Sequence, residues 1–165
     1  MRPRSTLLLF ASGMLALPAL AFDPAKLEVF LSTNACKYCD LADARLDGRV
    51  MRGADLENAK LQGAVLAGAD LSELQMEKRT QVANLKSANL RKADLSGANL
   101  SKADLSRAYL REAKLKAADL SFANLTGANL QGADLSGANL EGARLDSVKL
   151  CKTIMPGGQV DDTGC

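Results

Sequence analysis

The chain has 165 residues, a formal net charge of +2, four cysteines and not one histidine. Without His, Ser/His/Asp and Cys/His nucleophilic catalysis and c-type haem attachment are excluded. The near balance of charge also argues against nucleic-acid binding, which needs a concentrated positive face.

The first residues, "MRPRSTLLLFASGMLALPALA", have the parts of a secretory signal. Arg2 and Arg4 form a positive n-region, Leu7 to Leu20 an apolar h-region, and Ala19-Leu20-Ala21 an A-x-A site. Cleavage is expected between Ala21 and Phe22, because the apolar stretch is too short and interrupted for a stable span. No later segment reads as a membrane span, and no Cys follows the cleavage site to take a lipid. The mature protein is therefore expected outside the cytoplasm. The periplasm is the first expectation; a thylakoid lumen or the medium are the alternatives.

Residues 22–35 carry "FDPAKLEVFLST", which predicts a short helix with Asp23 as N-cap and Pro24 in the first turn. Leu27, Phe30 and Leu31 share one face at i, i+3, i+4 and are expected to cover whatever follows. "CKYCDL" comes next (36–41). A zinc site would need four convergent ligands. Thiol–disulfide exchange at Cys36 and Cys39 is chemically open, since a short C-x-x-C loop is often reducible. It lacks the strand–helix setting that lowers a thiolate pKa.

From here the chain repeats every five residues. Residues 39–73 hold seven units centred on Leu41, Leu46, Met51, Leu56, Leu61, Leu66 and Leu71. Nine residues, "LQMEKRTQV" (74–82), then shift the register and read as a loop or bulge. Fourteen further units fill 83–152, centred on Leu85, Leu90, Leu95, Leu100, Leu105, Leu110, Leu115, Leu120, Leu125, Leu130, Leu135, Leu140, Leu145 and Leu150. Thirteen of these carry Ala two residues earlier, and Val148 is the exception. A period of five suits neither regular element. Five residues turn an α-helix by about 500°, so the leucines would spiral, and in a strand an odd step alternates faces. A chain that gives each leucine the same surroundings must bend once per unit, as a solenoid does. The tail, residues 153–165, leaves the repeat, turns at Pro156-Gly157-Gly158 and ends in Cys165.

The pattern A-(D/N)-L-x-x, repeated over residues 39–152, resembles the pentapeptide-repeat family. The resemblance implies an all-β fold: a right-handed, four-sided (quadrilateral) β-helix with four units per coil and Leu and Ala inward. Twenty-one units then make about five coils, with the 22–35 helix as an N-terminal cap. At ~4.8 Å per coil the rod is roughly 25 Å long.

On such a rod Cys36 and Cys39 lie at the first coil, and Cys151 and Cys165 at the last. A disulfide spans only about 4.4–6.8 Å between Cα atoms, so the expected pairs are Cys36–Cys39 and Cys151–Cys165. Extracytoplasmic members of the family look similar at both places ("CKYCDL" and "CKTIMPGG…C"). The family's best-known role is mimicry of duplex DNA by acidic members that bind topoisomerases. Removing residues 1–21 takes two Arg and no acid from 21 basic and 19 acidic residues, leaving 19 of each. A neutral rod imitates a polyphosphate poorly.

Outer positions twenty apart should stack, placing Lys92 against Glu112 and alternating Asp94, Lys114 and Asp134. Tyr109 and Phe122, the aromatics within the repeats, fall at outward positions and are the candidate partner contacts. No residue set reads as a catalytic, cofactor or metal site. The expectation is a non-catalytic, exported structural or protein-interaction module, monomeric, with no nucleic-acid partner. A thiol-redox protein using Cys36 and Cys39 is the alternative.

Overall fold

Each five-residue unit closes one β-turn. The carbonyl of the central leucine accepts a hydrogen bond from the N–H three residues on, as Leu41 O does from Ala44 (3.1 Å) and Leu105 O from Ala108 (3.0 Å). Such a turn needs positive φ at its third residue. Glycine supplies it at Gly97 and Gly127, but Lys92, Lys102, Arg107, Glu112 and Phe122 adopt φ between 57° and 61° at the same place. The left-handed region is unfavourable for those side chains, so the ladder on either side must hold them there.

The Asp or Asn before each leucine has a physical reason too. Its side chain accepts a hydrogen bond from the N–H two residues on: Asp94 Oδ1 from Ser96 (3.1 Å), Asn124 Oδ1 from Thr126 (3.2 Å). This Asx turn leads the chain into the corner.

A computed structural model describes residues 23–77 and 79–165; the signal segment and the Ala21–Phe22 cleavage site lie outside them. Parallel bridges join residues twenty apart, so four units complete one turn and the solenoid has four faces. Asp55, Asn84, Asp104, Asn124 and Arg144 stack on the first face. Lys60, Asn89, Tyr109, Asn129 and Lys149 stack on the second, and Val65, Asp94, Lys114, Asp134 and Ile154 on the third. Val50, Asp70, Asn99, Asp119 and Asn139 form the fourth.

Across residues 74–82 the bridge spacing widens from twenty to 29, as in Asp55–Asn84 and Asp70–Asn99, and the ladder continues unbroken. The nine extra residues form an antiparallel pair, β1 (Leu74–Met76) and β2 (Arg79–Gln81), at the corner between the fourth and first faces. This pair folds back over the preceding coil. Gln81 Nε2 donates to Gly53 O at 2.7 Å, and a Cβ on Gly53 would stand 2.9 Å from that of Leu74.

The core is leucine and alanine. Leu41, Leu46, Leu56, Leu85, Leu105, Leu125 and Leu135 are fully buried, with Met51 nearly so. The register runs one unit further at each end than the leucines reveal. Cys36 takes a leucine position, its N–H donating to Asp55 O at 2.7 Å. At the far end Thr153, fully buried, takes an alanine position and donates through Oγ1 to Leu130 O at 2.7 Å.

The ends differ from expectation in two respects. Helix α1 (Pro24–Thr33) is capped by Asp23, whose Oδ1 accepts from Ala25 N at 3.0 Å, and it stops at Asn34 in the left-handed conformation. Phe30 is buried and Leu27 packs against the core, but Leu31 is 41% exposed: it lines an open hollow with Arg49 and Met51 instead of covering the coil. At the other end Leu145, expected in the core, is 36% exposed, while Leu140 and Leu150 are only partly buried. No bridge forms above Arg144. The tail instead pairs β3 (Thr153–Ile154) with β4 (Val160–Asp161) beside the third face.

Candidate functional site

Chemistry on this rod can come only from outward positions and from the two ends. At the first end Cys36 and Cys39 are disulfide-bonded, with Cα atoms 5.5 Å apart. They occupy the first and fourth positions of a turn whose third residue, Tyr38, has φ 58°. Covalent linkage thus joins the two positions that Leu O and Ala N join elsewhere. Both cysteines are buried while Tyr38 stands 72% exposed. A hollow of about 240 Å³ beside them is lined by Lys26, Val29, Ala35 and Lys37. At the last end Cys151 and Cys165 are bonded, with Cα atoms 4.7 Å apart, and tie the tail to the corner of the final coil.

The two candidate aromatics do not meet. Tyr109 lies on the second face, between Asn89 and Asn129, and is 54% exposed. Phe122 is at the corner between the fourth and first faces, 57% exposed, with its ring laid over Gly142 one coil on. A Cβ at Gly142 would come within 2.6 Å of that ring.

Ion pairs run up the rod as a ladder. Lys92 Nζ lies 3.7 Å from Glu112, and Lys114 Nζ 3.5 Å from Asp94. Asp134 is taken by Lys116 at 3.3 Å instead of by Lys114. Burial pushes the Asp94 carboxyl up, but hydrogen bonds from Ser96 and the charge of Lys114 outweigh it and leave it below the usual carboxylate range. Asp70 is likewise held low against burial, by Ser72 and Arg52. At Asp134 the Ser136 hydroxyl is the main cause of a lowered value. Lys37, between Glu57 (2.9 Å) and Asp55 (3.3 Å), is raised, and Glu57 is lowered by the same contact. These shifts follow from hydrogen bonds within a unit and from ion pairs, between coils at Asp94 and Lys37.

Two larger hollows open elsewhere on the described surface. One of about 430 Å³ lies between α1 and the corner where the third face turns into the fourth, lined by Phe30, Leu31, Asn34 and residues 47–51. Its ionisable groups are Asp47 and Arg49. The other, of about 300 Å³, opens over Gly132, between Arg111, Glu112 and Lys152. Among the described residues no group of three or more Cys, Asp or Glu is placed to hold a metal.

One feature escaped the sequence reading. Of the cations in the described residues, Lys37, Arg45, Arg52, Lys60, Lys92, Lys102, Arg111, Lys114, Lys116 and Arg144 are ion-paired. Lys26, Arg49 and Arg79, on α1, the fourth face and the hairpin, make no ion pair among them; nor do Lys86, Arg91, Arg107, Lys149 and Lys152, the unpaired cations of the second repeat block, and these five all fall on the second face or its two edges, around Tyr109. Counting in twenties, with nine added for the insertion, was the available signal.

The family described as pentapeptide repeats matches this chain in eight copies, over residues 39–73, 83–116 and 118–155. A pentapeptide repeat protein, Rfr23, from the cyanobacterium Cyanothece 51142 is similar in structure. It has 29% identity and a TM-score of 0.68, over 76% of this chain and 92% of that one. HetL, a pentapeptide repeat protein involved in heterocyst differentiation regulation from Nostoc sp. strain PCC 7120, shares 34% identity over 77% of this chain and 62% of its own, with a TM-score of 0.33. A pentapeptide repeat protein from the Arabidopsis thaliana thylakoid lumen shares 26% identity over 80% and 72%, with a TM-score of 0.29. No curated protein sequence matches significantly. The family and the Rfr23 likeness imply a right-handed quadrilateral β-helix and indicate no enzyme family.

Proposed function

This chain belongs to the pentapeptide-repeat family, and on that premise we propose that it is an exported, non-catalytic rod that presents its faces to a protein partner. The observation that carries this reading is a core of leucine and alanine closed by a bonded cysteine pair at each end. Disulfides persist in oxidising compartments, which agrees with the secretory pattern of residues 1–21. The periplasm is the compartment proposed first, with a thylakoid lumen or the medium the alternatives. The rod has about five coils. Helix α1 caps the first, and the Cys151–Cys165 bond fastens the tail at the last. With both ends occupied, the rod is proposed to be a monomer. The described carboxylates are interleaved with cations along the rod and do not imitate a polyanion, so a DNA-mimicking role is not proposed.

The competing reading is a thiol-redox protein that cycles Cys36 and Cys39. Thiol trapping of the mature protein in graded redox buffers, followed by peptide mapping, separates the two. On the module reading both pairs stay oxidised and resist reduction down to about −300 mV. Titration of Cys36–Cys39 near about −200 mV, with exchange onto a partner thiol, would overturn it.

A further inference from the structure

We propose that the second face of the rod, centred on Tyr109, is a docking surface for an acidic protein. The inference rests on the interaction-module reading and names the face and the chemistry of its partner. Its basis is the placement of charge. Lys86 and Arg107 stand at the edge where the first face turns into the second, and Arg91 and Lys152 at the edge where the second turns into the third. Lys149 lies on the face itself, two coils along from Tyr109 in the same column. All five side chains are exposed. Every cation of the second repeat block that lies elsewhere (Lys102, Lys114, Lys116 and Arg144) is already ion-paired. In the second repeat block the acids at the margins of the face are committed as well: Glu112 to Lys92 and Arg111, Asp146 to Arg144.

Unpaired cations on one flat face raise the local potential and attract a complementary surface. The hollow over Gly132 has Arg111 and Lys152 on its walls beside Glu112, whose carboxylate is already held by Lys92 and Arg111, and it gives an incoming carboxylate a recess to enter. The composition selects among anionic partners. Tyr and Arg are the side chains enriched where protein interfaces are buried, and here an exposed tyrosine is flanked by Arg91, Arg107 and Arg111. A membrane partner would call for apolar side chains to insert, yet Asn89 and Asn129 flank Tyr109 along its column. Single-stranded nucleic acid would call for several stacking platforms, and this face has one aromatic.

The test is binding of fluorescent poly-glutamate to the oxidised mature protein, followed by anisotropy across a salt series. Three variants accompany it. The first joins Arg91→Gln, Arg107→Gln and Lys149→Gln. The second, equal in charge, joins Lys102→Gln, Lys114→Gln and Lys116→Gln on the other faces and corners. The third is Tyr109→Ser alone, which keeps the test valid should the first fail to fold. Poly-glutamate is expected to bind more weakly as salt rises, because screening shortens to about 8 Å at physiological ionic strength. The first variant should lose about tenfold or more in affinity, the second little, and Tyr109→Ser about fivefold. Equal losses in the two charge variants, or no binding by the unaltered protein, would overturn the proposal. Tighter binding to phosphatidylglycerol vesicles or to duplex DNA, or self-association in sedimentation, would overturn its choice of partner. Thiol cycling at Cys36–Cys39 would sink the module reading by a separate readout.

Discussion

Leu105 and Leu145 occupy the same position of the same repeat on the same face, two coils apart. One is fully buried and the other is 36% exposed. Around Leu105 a coil pairs on either side, through Asn84–Asp104 and Asp104–Asn124; beyond Leu145 the ladder stops. The difference teaches that burial in a solenoid is conferred by the neighbouring coil rather than by the residue. An end coil therefore carries core sequence without core energetics.

Truncation should expose that difference most strongly. Leu105→Ala is expected to cost about 2–5 kcal/mol, the usual range for a fully buried leucine. Leu145→Ala should cost less than about 1 kcal/mol by the area it still exposes. Equal denaturant midpoints for the two would break the comparison. Next in size, Cys151→Ser combined with Cys165→Ser opens a loop of fifteen residues, worth about 3 kcal/mol on the chain-entropy account. Hydrogen exchange should then rise in the last coil and leave the coil of Leu105 protected.

A smaller effect separates two glycines in equivalent turns. Gly97→Ala meets open space and pays only for φ 64°, whereas Gly142→Ala also drives a methyl into the Phe122 ring. Gly142→Ala should be the worse by about 1 kcal/mol, and Phe122→Ala should remove the excess. Denaturation of the double variant checks this.

The smallest effect is that of acid. Asp94, Asp70 and Asp134 are held below their ordinary values in the folded chain. Their contribution is therefore present above the unfolded carboxylate pKa near 3.9 and is lost as pH falls through the lower folded values. Melting temperature should be flat at neutral pH and decline below about pH 4. Ser136→Ala should make that decline shallower by removing the hydroxyl that lowers Asp134. An unchanged slope would assign the effect elsewhere.

How much of this could be read in advance follows from where each residue's surroundings come from. Leu85 to Leu135 were legible because a unit's own five residues dictate the bend, and the next unit supplies identical walls. Asp94 and Asn124 were legible as corner residues, although their Asx hydrogen bonds needed coordinates. Leu31 and Leu145 were misjudged because their exposure depends on what does not stack upon them, which no local pattern encodes. The segment at 74–82 was marked by its break in register. Its antiparallel pairing was hidden, because "LQMEKRTQV" carries none of the Asn-Gly or Asp-Gly turn signals of a tight hairpin. The cation cluster around Tyr109 lay between these cases. Lys86 and Arg107 are 21 residues apart in sequence and become neighbours on one edge only after the chain is wound.

The hairpin at residues 74–81 also gives the rod a reference mark. A column of near-identical coils presents a partner with almost the same view every ~4.8 Å along its axis, and nearly the same view again on each quarter-turn. A partner reading such an object could slip by one rung or bind the wrong side at little cost. This corner pair interrupts the repeat once among the described residues, lies between the fourth and first faces, and leaves the second face clear. It fixes both the zero of the axial scale and the angle of rotation, so that one rung and one side become addressable on a nearly periodic surface.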